Sequence, residues 1–278
     1  MKNIKLDRKI FETDIANNPK IPVCYAIMLT EPYGLFESNN NNTKFYFRTS
    51  MRFLSERLYE YGINNITITE IKNILIELQK LDICRFYDSK FQPLSFNTIG
   101  ETFSPNHRHF SSEAIHFESV LENNLLHIED NKETTVSYFT VNFNDIKKIL
   151  SFKNNLNGVK VINSVNAFLR IVSSINTKTK YSYISYDNII PDIGIKSFSS
   201  INKYISFLSE INVLKYTNAG VFIKSNHQGR IKSNNIYTLA SNDDFEQILE
   251  NAVEDVKQKM LEHNWLPYGV VKQQKEAM

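Results

Sequence analysis

Lys196, Ser197, Ser199, Ser200, Asn202 and Lys203 crowd into eight residues, and Ser206 follows three positions later. Short hydroxyls, a carboxamide and two ammonium groups suit one task above others, which is hydrogen bonding to a polyanion and neutralising it. If Ile201 marks a buried helical face, a step of about 100° per residue brings Tyr204, Ile205 and Leu208 to within about 60° of it. Ser199, Lys203 and Ser206 then fall opposite, flanked by Asn202. A helix entering the major groove needs short side chains for close approach, amides to read base edges and cations for phosphates. Ser197 is placed to cap the helix, and the first-turn amides with the Ser199 and Ser200 hydroxyls make its tip hospitable to anions. The same residues also suit an ordinary surface helix, so the surrounding elements must decide.

Those elements come in a suggestive order. Val161, Val165, Phe168, Leu169, Val172 and Ile175 recur at helical spacing. SYISYDNIIPDIG reads as a strand remnant and a short helix, with a glycine turn before the polar helix. NVLKYT and NNIYTLA read as strands flanking the hairpin AGVFIKSNHQGRIKS, whose arms hold Lys224, Arg230 and Lys232 and whose tip holds Gly229. Helix, short helix, turn, helix, strand, basic hairpin, strand is the order of a winged helix-turn-helix.

Charge agrees with that order. The chain of 278 residues carries a net +2, but residues 151–240 hold 11 Lys and Arg against 3 acids, a local +8. Residues 241–278 are −4, leaving −2 for residues 1–150. Such a basic block attracts polyanions and makes affinity salt-dependent.

The stretch SYISYDNIIPDIGIKSFSSINKYISFLSEINVLKYTNAG, followed after the basic hairpin by SNNIYTLA, resembles the winged-helix domains of plasmid and phage replication initiators from low-GC Gram-positive bacteria. The likeness covers about 80 residues well and another ~70 loosely. It implies a tandem winged-helix initiator that binds repeated origin sites, self-associates and recruits host replication proteins. Two features depart from the pattern. Pro191 lies inside the short helix, where it removes a backbone donor, and Phe198 is bulky for a groove-facing end, so an inward turn is expected of it.

The first half repeats the order more faintly. Residues 1–20 read as a loose arm. IPVCYAIMLT is a short apolar element, FYFRT alternates like a strand, and SMRFLSERLYEYG gives a helix ended by Gly62. TITEIKNILIELQKL places Ile68, Ile71, Leu75 and Leu78 on one helical stripe, and ICRFYDS reads as a strand. The outward face of that helix presents Thr69, Asn73, Ile76 and Lys80, flanked by Glu70 and Glu77. Residues 21–94 hold 8 basic and 8 acidic groups. Carboxylates beside phosphates are unfavourable, so Asn73, Ile76 and Lys80 are candidate dimerisation residues, with DNA binding by both modules as the alternative. Residues 95–150 read as a connector, with a helix expected over 112–123 and a strand in TTVSYFTVNF.

Enzymatic readings fare worse. No G-x-x-x-x-G-K-[ST] occurs, which disfavours an ATP-driven motor. His107 and His109 in NHRHF resemble the His-hydrophobic-His metal motif of rolling-circle nicking initiators, but Arg108 stands between them. No convincing Tyr-x-x-Lys follows on a helix, and His116 and His127 add little. Cys24 and Cys84 lie far apart in apolar sequence and read as reduced core thiols. No run approaches the ~18 apolar residues of a membrane span, and the first residues lack an apolar signal core.

The sequence thus predicts an α+β, mainly helical chain. It comprises an arm (1–20), a first winged helix (21–94), a connector (95–150), a second, DNA-binding winged helix (151–240), and a C-terminal helix and tail (241–278). The expected partners are double-stranded DNA, a second copy of the chain and host replication proteins. The expected location is the cytoplasm, with no metal, cofactor or catalytic residue. A winged-helix transcriptional regulator is the alternative, since an initiator and a repressor share this face.

Overall fold

The computed structural model describes residues 3–30, 34–38, 44–64, 66–94, 114–119, 127–129, 132–134, 137–152, 160–224 and 229–268. Two compact units form: Met1–Asn166 with Asp192–Ile195, and Ala167–Pro191 with Lys196–Met278.

The first unit begins in order, not in a loose arm. Strand β1 (Asn3–Asp7) pairs antiparallel with β8 (Tyr138–Asn142), setting Leu6 opposite Phe139. Alternation drives this, since Ile4 and Leu6 are buried on one face. A 3-10 turn over Arg8–Glu12 follows, capped by the Asp7 carboxylate, which accepts from the Lys9 amide at 3.0 Å. Phe11 stacks on Phe139 with ring centroids 5.8 Å apart.

Helix α1 (Ile21–Thr30) is buried on every side, as its uniformly apolar sequence requires. It lies against a sheet of β2 (Gly34–Ser38), β3 (Lys44–Thr49), β4 (Cys84–Tyr87) and β5 (Ile115–Ser119), in the order β2-β3-β5-β4. Phe117 on β5 stacks on Phe47 at 5.2 Å, and Tyr25 of α1 hydrogen-bonds Ser119 at 3.2 Å. Between β3 and β4 run α2 (Met51–Glu60) and α3 (Ile68–Lys80). Thr67 and Glu70 close a capping box at the start of α3. Lys20, 2.8 Å away, and the Thr67 amide hold the Glu70 carboxyl below its ordinary range. Strands β6 (His127–Glu129) and β7 (Lys132–Thr134) form a hairpin, and α4 (Phe143–Ser151) leaves β8 directly, burying Phe143, Ile146, Ile149 and Leu150.

Helix α5 (Val161–Ser174) is followed by the second unit's α6 (Tyr186–Asp192), α7 (Phe198–Glu210), β9 (Leu214–Asn218), β10 (Val221–Lys224), β11 (Arg230–Lys232) and β12 (Asn235–Leu239). Strand β12 pairs with β9 on one side and bridges Ser182 through Tyr237 on the other. The long α8 (Phe245–Glu262) packs Ala252 and Val256 against Ile236, so this acidic helix docks within its own unit. The chain then returns as β13 (Trp265–Pro267) along the outer edge of β10.

The chain is α+β, and the expectation of a mainly helical one is corrected. Residues read as arm, helix, connector and tail are strands β1, β5, β6, β7 and β13, and β2 was not anticipated. The predicted helix over 112–123 fails at Ile115–Ser119, where β5 is inserted between β3 and β4. All five of its residues are buried, so a strand covered on both faces shows no polar alternation. The first unit also carries β2, the β1–β8 pair and α4. What the units share is narrower: helix, helix, strand, then a return strand paired with that strand, its other edge met by strand β3 in the first unit and by the single Ser182 bridge in the second. Both second helices of that order are 13 residues long and hydroxyl-capped, by Thr67 and by Ser197. Both end at a left-handed residue, Asp82 (φ 52) and Asn212 (φ 54), where short acidic and amide side chains tolerate positive φ.

Leu6→Ala should cost about 2–5 kcal/mol, the usual toll of emptying a closed apolar site. Equilibrium denaturation checks it, and a change near zero would mean that β1 is not part of the core.

Candidate nucleic-acid interface

Helix α7 sets the interface by its rotation. Ile201, Tyr204, Ile205, Phe207 and Leu208 are buried, while Ser199, Asn202, Lys203 and Ser206 are exposed. At its start the Ser197 hydroxyl accepts from the Ser200 amide at 3.3 Å and lies 3.2 Å and 2.9 Å from the Ser199 and Ser200 hydroxyls. That cap is worth about 1 kcal/mol. Lys196, just outside it, is exposed. Gly194 in the turn before α7 has φ +67, a conformation that favours glycine. Pro191 falls one residue from the end of α6, so its missing N–H removes a single helical bond.

Phe198 corrects the expectation of an inward turn. It is 54% exposed, with its ring centroid 6.0 Å from that of Tyr186 on α6. Tyr186 is the residue that sequence reasoning missed. Its hydroxyl donates to Asn202 Oδ1 at 2.6 Å and accepts from Asn235 Nδ2 at 2.8 Å. Asn235 opens β12, directly after the hairpin, so one hydrogen-bonded chain joins the exposed face of α7 to the root of the wing. Burial pushes the Tyr186 phenol upward, which keeps it a donor at neutral pH. The signal was faint, because a tyrosine on a short helix resembles any other amphipathic residue.

The wing itself is braced. At its root, Ser233 N–H donates to Gly220 C=O at 2.8 Å, and the Ser233 hydroxyl accepts from the Ala219 amide at 2.9 Å. Lys224 and Arg230 are exposed on the arms, and Lys232 with them. The Lys224 ammonium lies 5.6 Å from the Trp265 ring, and the Arg230 guanidinium 4.3 Å from that of Tyr268. Such contacts hold long cations upright without neutralising them. Strand β13, which supplies Trp265, was read from sequence as tail.

The other candidates are distributed differently. Asn73 and Lys80 are exposed on α3, Ile76 is half-buried, and Lys80 pairs with Glu77 at 2.7 Å. The core stripe of α3 is Ile71, Ile74, Leu75 and Leu78. Ile68, expected in it, is 37% exposed at the first position of the helix. His107 and His109 lie outside the described residues. Among the described residues, no group of three or more His, Cys, Asp or Glu side chains could hold a metal ion. No described helix is long and apolar enough to cross a membrane.

Two features of the first unit invite a chemical reading and fail it. On β5, Glu118 is buried and takes the Tyr87 hydroxyl, while His116 stacks on Phe91 at 4.2 Å and meets the Asp88 carbonyl at 3.0 Å. Desolvation first, then the Glu118 hydrogen bond, raises the Tyr87 phenol. Cys24 and Cys84 are free and buried. Burial pushes the Cys24 thiol up to about 12 and raises Cys84 well above its ordinary value.

Comparison with protein-family models, curated proteins and solved structures finds no match to this chain.

Because the thiolate is the reactive form, neither cysteine should be modified by a disulfide reagent at pH 8 in the folded protein, and both should react at once in denaturant. Rapid native labelling would contradict their burial.

Proposed function

We propose that this is a sequence-specific double-stranded DNA-binding protein, acting as a plasmid or phage replication initiator that reads origin repeats with α7 and the basic wing. The observation that carries the reading is the Asn235–Tyr186–Asn202 chain. It ties the exposed Ser199, Asn202, Lys203 and Ser206 face to a wing bearing Lys224, Arg230 and Lys232. One surface then offers groove-reading amides and phosphate-binding cations together, within the segment that concentrates the chain's positive charge. The recurrence of the helix–helix–strand order in the first unit supports an initiator over a single-module regulator. Self-association through Asn73, Ile76 and Lys80, and recruitment of host replication proteins, complete the proposal.

Affinity for a selected duplex should fall about a thousandfold or more over a fourfold rise in salt if about six phosphates are neutralised, and a flat response would sink the reading. Asn202→Ala should cost ~1–3 kcal/mol of discrimination between sequences, whereas Arg230→Ala should weaken all duplexes alike. Equal losses on selected and random DNA for both variants would remove α7 from the groove.

Sedimentation tests the first unit. Wild type should be a dimer at micromolar concentration and Ile76→Asp a folded monomer. A monomeric wild type, or a variant that unfolds, would assign the half-buried Ile76 to the core instead.

A further inference from the structure

Phe198 and Asn202 sit one turn apart on α7, and both touch Tyr186. We propose that they form a reading pair, Phe198 for the C5-methyl of a thymine and Asn202 for N7 of a neighbouring purine, with Tyr186 as their positioning residue. The proposal rests on the reading of α7 as the helix that enters DNA.

The amide half follows from proton bookkeeping. Asn235 Nδ2 donates to the Tyr186 hydroxyl, so the Tyr186 proton is committed to Asn202 Oδ1. The carboxamide is thereby oriented with Nδ2 outward, and what it offers a base edge is a donor. Purine N7 is the major-groove acceptor common to adenine and guanine, so this contact selects purine over pyrimidine and leaves the choice of purine open.

The aromatic half specifies the adjacent base pair instead. A phenylalanine 54% exposed at the first position of a helix leaves apolar surface in water, and its contact with Tyr186 covers only part of it. Beside the donors and acceptors of the major-groove edge, the thymine methyl is the one bulky apolar group, and it is the group that rewards an apolar neighbour. Four residues of helix rise span about 6 Å, within the reach of adjacent base pairs. A donor and a methyl-seeking ring, fixed relative to each other by one tyrosine, therefore recognise an A·T-containing step.

The test selects duplexes from a random-sequence library with the full-length wild-type chain, then replaces each thymine of the winning site by uracil and each purine by its 7-deaza analogue. One uracil replacement should weaken wild type about fourfold, the worth of a buried methyl, and should leave Phe198→Ala unchanged. One neighbouring 7-deaza replacement should weaken wild type about fivefold or more and leave Asn202→Ala unchanged. Tyr186→Phe keeps the ring beside Phe198 and removes the hydroxyl that orients Asn202, so it should keep the wild-type thermal midpoint, the affinity for random duplex and the uracil sensitivity while losing the 7-deaza sensitivity. A winning site whose uracil and 7-deaza scans move nothing, or a Tyr186→Phe protein that keeps the 7-deaza sensitivity, overturns the reading pair while leaving DNA binding intact. Failure of wild type to enrich any duplex overturns the pair together with the DNA-binding reading beneath it.

Discussion

Burial of Ile201, Tyr204, Ile205 and Leu208 fixes the rotation of α7, and the rest of the second unit's exposed chemistry depends on that rotation. A helix cannot turn by one residue without carrying about 100° of its surface with it, so the apolar stripe and the polar face are two readings of one constraint. Four buried side chains, each worth about 1.5–3 kcal/mol on burial, outweigh any preference among exposed serines and lysines. The polar face is thus held by the core, and its residues are released from any structural duty except the cap at Ser197.

Rotation alone does not orient a side chain, and here the short α6 becomes necessary. An exposed asparagine samples several rotamers, and an amide that must choose between donor and acceptor loses discrimination if it can swap them. Tyr186 removes that freedom for Asn202 and is itself held by Asn235 at the root of the wing. The wing is held at both ends of its arms, by Ser233 at the root and by β13 along the edge. The contacts of Lys224 with Trp265 and of Arg230 with Tyr268 reduce the entropy lost when long cations are ordered against a phosphate, which is where flexible basic hairpins lose affinity.

How far this was legible in the sequence follows from where the signals are local. The stripe of α7, its serine cap and the strand–hairpin–strand order are all written within one element or between neighbours, and periodicity exposes them. Strand β5 was hidden because it is buried on both faces, so its residues lack the alternation that marks a half-buried strand. Strands β1 and β13 were hidden for another reason. Their partners, β8 and β10, lie far away in sequence, and a short segment such as Trp265–Pro267 carries too few residues to declare a period. Tyr186 belongs to this second class, since its importance lies in a hydrogen bond to a residue 49 positions away. Phe198 was misjudged because its bulk was taken to bar it from a groove-facing end, although an exposed aromatic is the informative exception.

The acidic α8 shows why that basic face can exist at all. Residues 167–191 and 196–240 of the second unit hold 9 Lys and Arg against 2 acids, a net +7, and like charges gathered on a small unit destabilise it by self-repulsion. Residues 241–278 return −4 to the same unit, through a helix whose Ala252 and Val256 pack on Ile236. Its contacts are placed accordingly: Asp244 reaches Lys180 at 3.4 Å, Asp255 accepts from the Tyr181 hydroxyl at 3.0 Å, and Lys215 lies over the Phe245 ring. Asp244 and Asp255 thus meet Lys180 and Tyr181, Glu254 pairs with Lys257, and Lys196, Lys203, Lys224, Arg230 and Lys232 stay exposed. Net charge is moderated without neutralising the cations of the candidate interface, because the compensation lies on the sheet side of the unit, where β9 and β12 meet α8, and not beside the polar face of α7.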